Sequence, residues 1–385
     1  MDGGALAPAR RRETPVSWFV PILLAALAAC GLTTALAALL LVAERYLVRY
    51  GPCRIDVNDG GRELEVRGGE TVLAALKGEG IFIPSACGGR GTCAYCKLEI
   101  PEGGGPVAPT ELALLTPEEA AAGVRICCQV KVRNDLKVLV PEELLAVREY
   151  RGVVERIRDL THDIKELRIR LVEPERIQFA AGQYVQLEAP AYGDNPESVY
   201  RAYSMSSVPS EDDAIELIIR LVPGGICTTW VFTVLAEGDE VRFHGPYGEF
   251  ALSGTDREMV WIAGGSGMAP FWSMLRHMKR RGLARQCTYF FGAVRRRDLF
   301  FLDELRRLER ELAWFTFVPA LSGAPGDEAW DGERGLITDV VGRHVRDGSE
   351  LEGYLCGSPG MVDAADKVLK GKGIPPDRIF YDKFG

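Results

Sequence analysis

Apolar and polar positions divide this chain into one lipid-like stretch and three soluble regions. From Thr14 to Ala43 no residue is charged, and Leu and Ala dominate. A helix rises about 1.5 Å per residue and about 20 apolar residues cross a bilayer, so the run predicts one transmembrane helix, about residues 17–43. A secretory signal peptide headed by Arg10, Arg11 and Arg12 fits less well, because the apolar run is too long and no small-x-small cleavage site follows. A buried core helix fits less well again. Arg45, Arg49 and Arg54 follow the run as closely as the three arginines precede it, so loop charge leaves the orientation near a tie.

Beyond the apolar run the periods change. Residues 54–74 read as two short strands around the turn Asn58-Asp59-Gly60-Gly61, followed by a helix from Thr71 to Lys77. Pro106 to Glu119 reads as a loop and a short helix capped near Thr116, and Pro141 to Tyr150 as a helical linker. Residues 151–250 then alternate strand-like runs and turns: Val153 to Ile157, Ile164 to Val172, Tyr184 to Glu188, Ile215 to Leu221 and Glu240 to Phe243. No long amphipathic helix interrupts them, which predicts an antiparallel barrel. After Met259 strands alternate with helices. The strands are Met259 to Ala263, Gln286 to Ala293, Trp314 to Leu321 and Leu351 to Cys356. The helices run from the glycine turn to about Arg280, from Asp303 to Leu312 and from Pro359 to Lys370. That alternation predicts a parallel sheet with a nucleotide at its carboxyl ends. Ser322 to Glu333 reads as a loop.

The first soluble region carries Cys87-Gly-Gly-Arg-Gly-Thr-Cys93-Ala-Tyr-Cys96, with Cys127 and Cys128 about thirty residues later. Three close thiols and one distant one suit a [2Fe–2S] cluster, in which each iron takes two thiolates. Glycines 88, 89 and 91 let the loop wrap and turn N–H groups toward the sulfurs. Zinc would want paired C-x2-C units or histidines, and a disulfide reading has no pattern to support it.

This run, with Gln129 after Cys128, resembles the ferredoxin domain found in the F subunit of the sodium-translocating NADH:quinone reductase family. The resemblance extends from the N-terminal apolar run to Phe384-Gly385. It implies Cys87, Cys93, Cys96 and Cys128 as cluster ligands, because the family's last ligand directly precedes Gln; Cys127 then becomes a packing residue. The implied fold is multidomain: an N-terminal transmembrane helix (residues 1–50), an α+β ferredoxin (β-grasp) domain (51–145), an antiparallel β-barrel FAD domain (150–252) and an α/β parallel-sheet NAD domain (256–385).

The barrel contains Arg201-Ala-Tyr203-Ser204. An Arg can fork onto a pyrophosphate, a Tyr ring can lie against a flavin and a Ser hydroxyl can meet a ring nitrogen. On one extended strand Arg201 and Tyr203 share a face. The segment is similar to the R-x-Y-S flavin motif of the ferredoxin-reductase superfamily. Twenty residues on, Pro223-Gly-Gly225-Ile-Cys-Thr228-Thr229 precedes a short helix, where the family binds the flavin pyrophosphate; Cys227 reads as packing. Gly264-Gly265-Ser-Gly267-Met-Ala-Pro270 matches the superfamily's nicotinamide-nucleotide loop. In the superfamily a segment like Cys356-Gly357-Ser-Pro ends a strand beside the nicotinamide. The resemblance places Cys356, Ser204 and the C-terminal Phe384 at the hydride step, Phe384 covering the flavin face.

Composition narrows the function. With 46 Lys plus Arg against 54 Asp plus Glu, the chain has a formal charge of −8, which argues against nucleic acid as a partner. Ten cysteines in 385 residues are too few for a disulfide scaffold. His162, His244, His277 and His344 lack metal spacing, and Cys30, Cys53 and Cys287 have no evident partner. The resemblance implies electron flow from NADH through FAD and the [2Fe–2S] cluster to other membrane subunits and finally quinone, coupled to sodium export. The expected place is the inner membrane by a single pass, with the soluble domains on the cytoplasmic side, because NADH and reducing conditions are cytoplasmic. The other readings are a reductase component of an oxygenase, a non-pumping membrane NADH dehydrogenase and a scaffold without turnover. Nucleotide preference stays open: Val294-Arg295-Arg296-Arg297 could hold a 2′-phosphate or be solvated loop charge.

Overall fold

The computed structural model describes residues 16–47, 50–85, 87–323 and 330–383. Its first element is a helix, Val16–Leu47, of which Val20–Ala43 is uncharged and has its apolar side chains exposed. Its length suits a bilayer, since 24 residues rise about 36 Å. Even its hydroxyls are satisfied internally: Thr33 and Thr34 donate to the carbonyls of Ala29 and Cys30 at 2.9 and 2.7 Å. Only residues 48–51 separate this helix from the first strand.

Five strands make the ferredoxin-like sheet: β1 (Pro52–Val57), β2 (Arg62–Arg67), β3 (Lys97–Glu102), β4 (Val124–Ile126) and β5 (Leu136–Leu139). Their order is β2-β1-β5-β3-β4, with β1 and β5 parallel. Asn58 and Asp59 take positive φ in the predicted hairpin turn, a conformation that short polar side chains tolerate. Thr71 caps the helix Val72–Gly78 by accepting from the Ala74 N–H. Ile55, Leu76, Ile126 and Val138 fill the core. Beneath the sheet, Glu111 is fully buried and takes a two-pronged bond from Arg125, plus the Ala108 and Ile126 N–H groups. With every acceptor used, this pair fixes the strand that leads to Cys127 and Cys128.

The second sheet comprises β6 (Arg148–Asp159), β7 (Ile164–Glu173), β8 (Tyr184–Ala189), β9 (Val199–Ser204), β10 (Ala214–Arg220) and β11 (Glu240–Tyr247). The order β10-β7-β6-β11-β8-β9 is antiparallel throughout, and a bridge from Met205 to Leu217 closes it into a barrel. The linker differs from the sequence reading. Its helix spans only Glu142–Leu145, and β6 begins at Arg148, because Tyr150 packs inside against Phe243.

The third sheet is wholly parallel: β12 (Met259–Gly264), β13 (Cys287–Ala293), β14 (Phe315–Leu321), β15 (Glu333–Arg334), β16 (Glu352–Gly357) and β17 (Ile379–Lys383), in the order β15-β14-β13-β12-β16-β17. Successive strands add on one side of β12 until β16 returns to the other, so the strand order reverses there and opens a crevice at the carboxyl ends. The helices Met268–Arg281, Leu302–Glu311, Ile337–His344 and Pro359–Gly371 cover the sheet. Ile337–His344, β15 and β17 have no counterpart in the sequence reading. Within the Ser322 to Glu333 loop, residues 324–329 lie outside the described residues.

Several contacts join the modules, among them Arg276 on the barrel's Glu216 at 2.8 Å. At the sheet's amino end, the Glu352 carboxylate is buried and accepts from Ser253 and Thr255 hydroxyls, Arg285 and Tyr354, each within 2.9 Å. Burial opposes its charge, but these four donors outweigh it and hold the carboxyl down at about 2. The clamp therefore stabilises the fold above about pH 4.5 and is lost as pH falls toward 2. Glu352→Ala, which strands Arg285, should cost about 3 kcal/mol at neutral pH. Thermal unfolding of the detergent-solubilised protein checks this, and the gap to the native chain should close on acidification. On the other side, Phe82 of the ferredoxin module stacks on His244 of the barrel at 5.0 Å, and His244 stacks on Tyr200 at 4.6 Å. Burial, helped by the Lys77 charge, lowers His244 to about 3, so it is a neutral ring here.

Candidate functional site

A cavity of about 800 Å³ opens where the three modules meet. The barrel contributes Arg201, Tyr203 and Ser204 from β9 and the loop Gly224–Thr228; the last domain contributes Gly264, Gly265, Ser266 and Gly357. The ferredoxin module reaches the same cavity through Arg90 and Tyr95 of its cysteine loop. A volume at the upper end of the small-molecule range, bounded by two glycine loops, suits two nucleotides meeting face to face.

The cysteine loop is held from both sides. Ser85 accepts from the Gly89 N–H at 2.9 Å, and Gly88, at φ +67, lies against Arg201 so closely that a Cβ there would meet Nη1 at 2.6 Å. Among the described residues no three His, Cys, Asp or Glu side chains close on one ion-sized point. The thiols instead pair, Cys87 with Cys93 and Cys96 with Cys128. Two pairs suit a two-iron centre, in which each iron takes two thiolates. Burial would raise Cys87, but hydrogen bonds from Thr92 and Cys93 bring it down to about 6. The Cys96 thiol, with lesser help from Gln129 and the Gly91 N–H, lowers Cys128 to about 7 against burial, while Cys96 itself is pushed up. Both lowered thiols favour the thiolate a metal needs. Cys127 is fully buried in the ferredoxin core, where burial raises its thiol.

In the barrel, Arg201 donates to the Tyr200 carbonyl at 2.7 Å. The Tyr203 hydroxyl meets the buried Cys227 thiol, so Cys227 packs beneath the cavity. Gly225 caps the helix Ile226–Thr233, and the Thr228 hydroxyl is occupied with the Val222 and Gly225 backbone. Thr228 lines the cavity and Thr229 does not. In the last domain Gly267 and Pro270 are buried behind the cavity wall. A Cβ on Gly267 would strike the Cys356 carbonyl at 2.3 Å, so the glycine lets the helix start pack on β16. Cys356 is fully buried and faces inward beside Gly357. Phe384 lies outside the described residues.

The structure adds two residues that sequence reading missed. Asp382 pairs with Cys356 across β16 and β17, lines the cavity and accepts from the Ser204 hydroxyl at 3.1 Å. Burial pushes its carboxyl up to about 6 despite that bond. Arg220, at the end of β10, reaches from the barrel to Gly265, whose Cβ would lie 3.5 Å from Nη1; Asp163 holds it in place at 2.8 Å. A guanidinium over a glycine loop at a helix start has the charge and geometry to take a phosphate from two domains at once. Arg220→Ala should raise the KM for NADH by about tenfold or more. Steady-state kinetics check it, with FAD content unchanged. Arg295, Arg296 and Arg297 do not line the cavity, whereas Val294 and Asp298 do. An acidic side chain there opposes a 2′-phosphate and suits a ribose diol.

Family models agree with this division. Residues 55–133 match the 2Fe-2S iron-sulfur cluster binding domain, 151–252 the oxidoreductase FAD-binding domain and 261–367 the oxidoreductase NAD-binding domain. Among solved structures, the Amycolatopsis cytochrome P450 reductase GcoB is 32% identical, with a TM-score of 0.70 over 86% of this chain and 98% of its own. The ferredoxin reductase in carbazole 1,9a-dioxygenase is 26% identical, with a TM-score of 0.66 over 87% and 98%. Among curated proteins, the F subunit of the Na(+)-translocating NADH-quinone reductase of Neisseria meningitidis is 37% identical over 91% of this chain and 96% of that one. Its counterpart from Histophilus somni is 36% identical over the same shares. With its thiol loop, flavin-type barrel and nucleotide sheet in that order behind an apolar helix, this chain belongs to the family of F subunits of the Na(+)-translocating NADH-quinone reductase.

Proposed function

We propose that this chain is the electron-input subunit of a membrane respiratory complex, oxidising NADH and passing single electrons to partner subunits and finally quinone, with sodium export carried out by those partners. The observation that carries it is the shared cavity: a cysteine loop walls the same space as a flavin motif and a nicotinamide-nucleotide loop. When bound, FAD accepts a hydride and a [2Fe–2S] cluster accepts single electrons, so together they convert two-electron into one-electron chemistry.

The chain's own residues set up that exchange. Cys87, Cys93, Cys96 and Cys128 would hold the cluster. Arg201, Tyr203, Gly225 and Thr228 would hold FAD, with Thr229 reserved for the helix. Gly264, Gly265 and Gly357 would seat the NADH, and Arg220 would grip its pyrophosphate. Gly267, Pro270 and Cys356 shape the wall behind it. Ser204 presents its hydroxyl toward the cavity, and Asp382 decides where that hydrogen points. Phe384 would shield the flavin face. The N-terminal helix would anchor the chain in the inner membrane. Because NADH and reducing conditions are cytoplasmic, the soluble modules belong on that side.

The solved reductases favour a second reading, an oxygenase reductase component. The exposed apolar helix and the match to the pump's F subunits over 91% of the chain weigh against it. Purification of the detergent-solubilised protein from its native membrane tests the choice. Recovery of several multi-span subunits supports the pump, and a soluble di-iron partner overturns it.

A further inference from the structure

Tyr95 occupies the spacer between Cys93 and Cys96, one thiol from each of the two pairs described above. A cluster loop needs only a backbone N–H at this position, and Tyr95 supplies one to the Cys93 sulfur. The side chain is therefore free for another task. It takes no part in the ferredoxin core, although its neighbour Ala94 packs against that core. Its ring remains 39% exposed and lines the cavity with Tyr184, Ser204 and Asp382. The backbone immediately before it is in an unfavourable state. Ala94 sits at φ +57, a left-handed conformation unfavourable for a residue with a Cβ. Backbone strain persists where surrounding structure imposes it, and it gathers at functional sites. Among the described residues only Arg90 joins Tyr95 in carrying the ferredoxin module to this cavity.

We propose that Tyr95 is the ferredoxin module's contact with the bound flavin, and that its ring sets the rate of the flavin-to-cluster electron step. The inference rests on the proposed placement of FAD in the cavity and of the cluster in the thiol loop. Each hydride from NADH leaves two electrons and a proton on the flavin. The electrons pass one at a time to the oxidised cluster, which is emptied by the next carrier between transfers, and the proton leaves to water. Tyr95 forms no bond and is not oxidised; it fixes the approach of the two redox partners, and a small misplacement is costly in such a step.

The test uses full-length, detergent-solubilised holoprotein mixed rapidly with NADH without oxygen. Flavin reduction is followed by absorbance and cluster reduction by freeze-quench paramagnetic resonance. In Tyr95→Ala, flavin reduction should keep the native rate while cluster reduction slows about tenfold or more. Flavin fluorescence should rise as the ring contact is lost, and the cluster's midpoint potential should not move. Tyr95→Phe should behave as the native chain. Tyr95→Leu, which keeps bulk at the cavity wall and loses only the ring, should also slow cluster reduction and remains informative if the Ala variant fails to load its cluster. Native-rate cluster reduction in Tyr95→Ala, or in Tyr95→Leu where the Ala variant does not load its cluster, overturns the proposal, as does a shifted potential or a slow Tyr95→Phe. Failure of the native flavin to be reduced by NADH would instead refute the placement of the cofactors.

Discussion

Replacing Cys128 with Ala removes the iron–sulfur absorbance and leaves a yellow protein whose FAD is still reduced by NADH. Two adjacent cysteines follow β4, and the fold gives them different surroundings. Cys128 meets the Cys96 thiol, takes the Gln129 amide at 3.6 Å and is drawn down to about 7. Cys127 points the other way into the sheet core and has no exposed surface. A ligand must close on the other thiols, and Cys128 is the one that makes the contact with Cys96. Cys128→Ala should therefore abolish electron transfer beyond the flavin, while Cys127→Ala keeps the cluster and loses only some packing. The ultraviolet–visible spectra of the two purified variants decide it: loss of the cluster from Cys127→Ala alone would refute the assignment.

Flavin reduction by NADH speeds up as pH falls through about 6, and Asp382→Asn removes that dependence. The ionised Asp382 takes the Ser204 hydrogen for itself at 3.1 Å. Once protonated, near the pH of about 6 set by its burial, it can donate to the Ser204 oxygen and release the hydroxyl hydrogen toward the cavity. The Asn side chain donates at every pH, so Asp382→Asn should reduce its flavin at a fast, flat rate. Asp382→Ala orients nothing and should be slower by about a hundredfold. Single-turnover rates from pH 5 to 8 measure both, and a native-like profile in Asp382→Asn would exclude this role.

The legible parts of the molecule were those whose signal is local. The Cys87 to Cys96 spacing, the Arg201 to Ser204 strand and the Gly264 to Pro270 turn each carry their chemistry within ten residues. Asp382 was unreadable because an acid beside Lys383 looks like a solvated tail; its meaning comes from pairing with Cys356 across 26 positions. Arg220 likewise reads as a strand end until the barrel brings it over Gly265. The helix Ile337–His344 buries only Ile337, Val340 and Val341, too short a stripe to stand out after a loop. Thr229 matched a motif by type, but the first turn of its helix rotates it off the cavity wall while Thr228 stays. Tyr95 left no trace, since a spacer in C-x2-C accepts most residues.

The four residues between the helix Val16–Leu47 and β1 reach at most about 14 Å. With the helix in a bilayer, that leash keeps the ferredoxin module within one domain diameter of the lipid surface. Within the complex the cluster then meets its membrane partners at an effective concentration set by tether length and not by bulk abundance. A tight docking face is unnecessary under those conditions. The contact through which electrons leave can be small, because the anchor and the partner subunits already hold the two sides together.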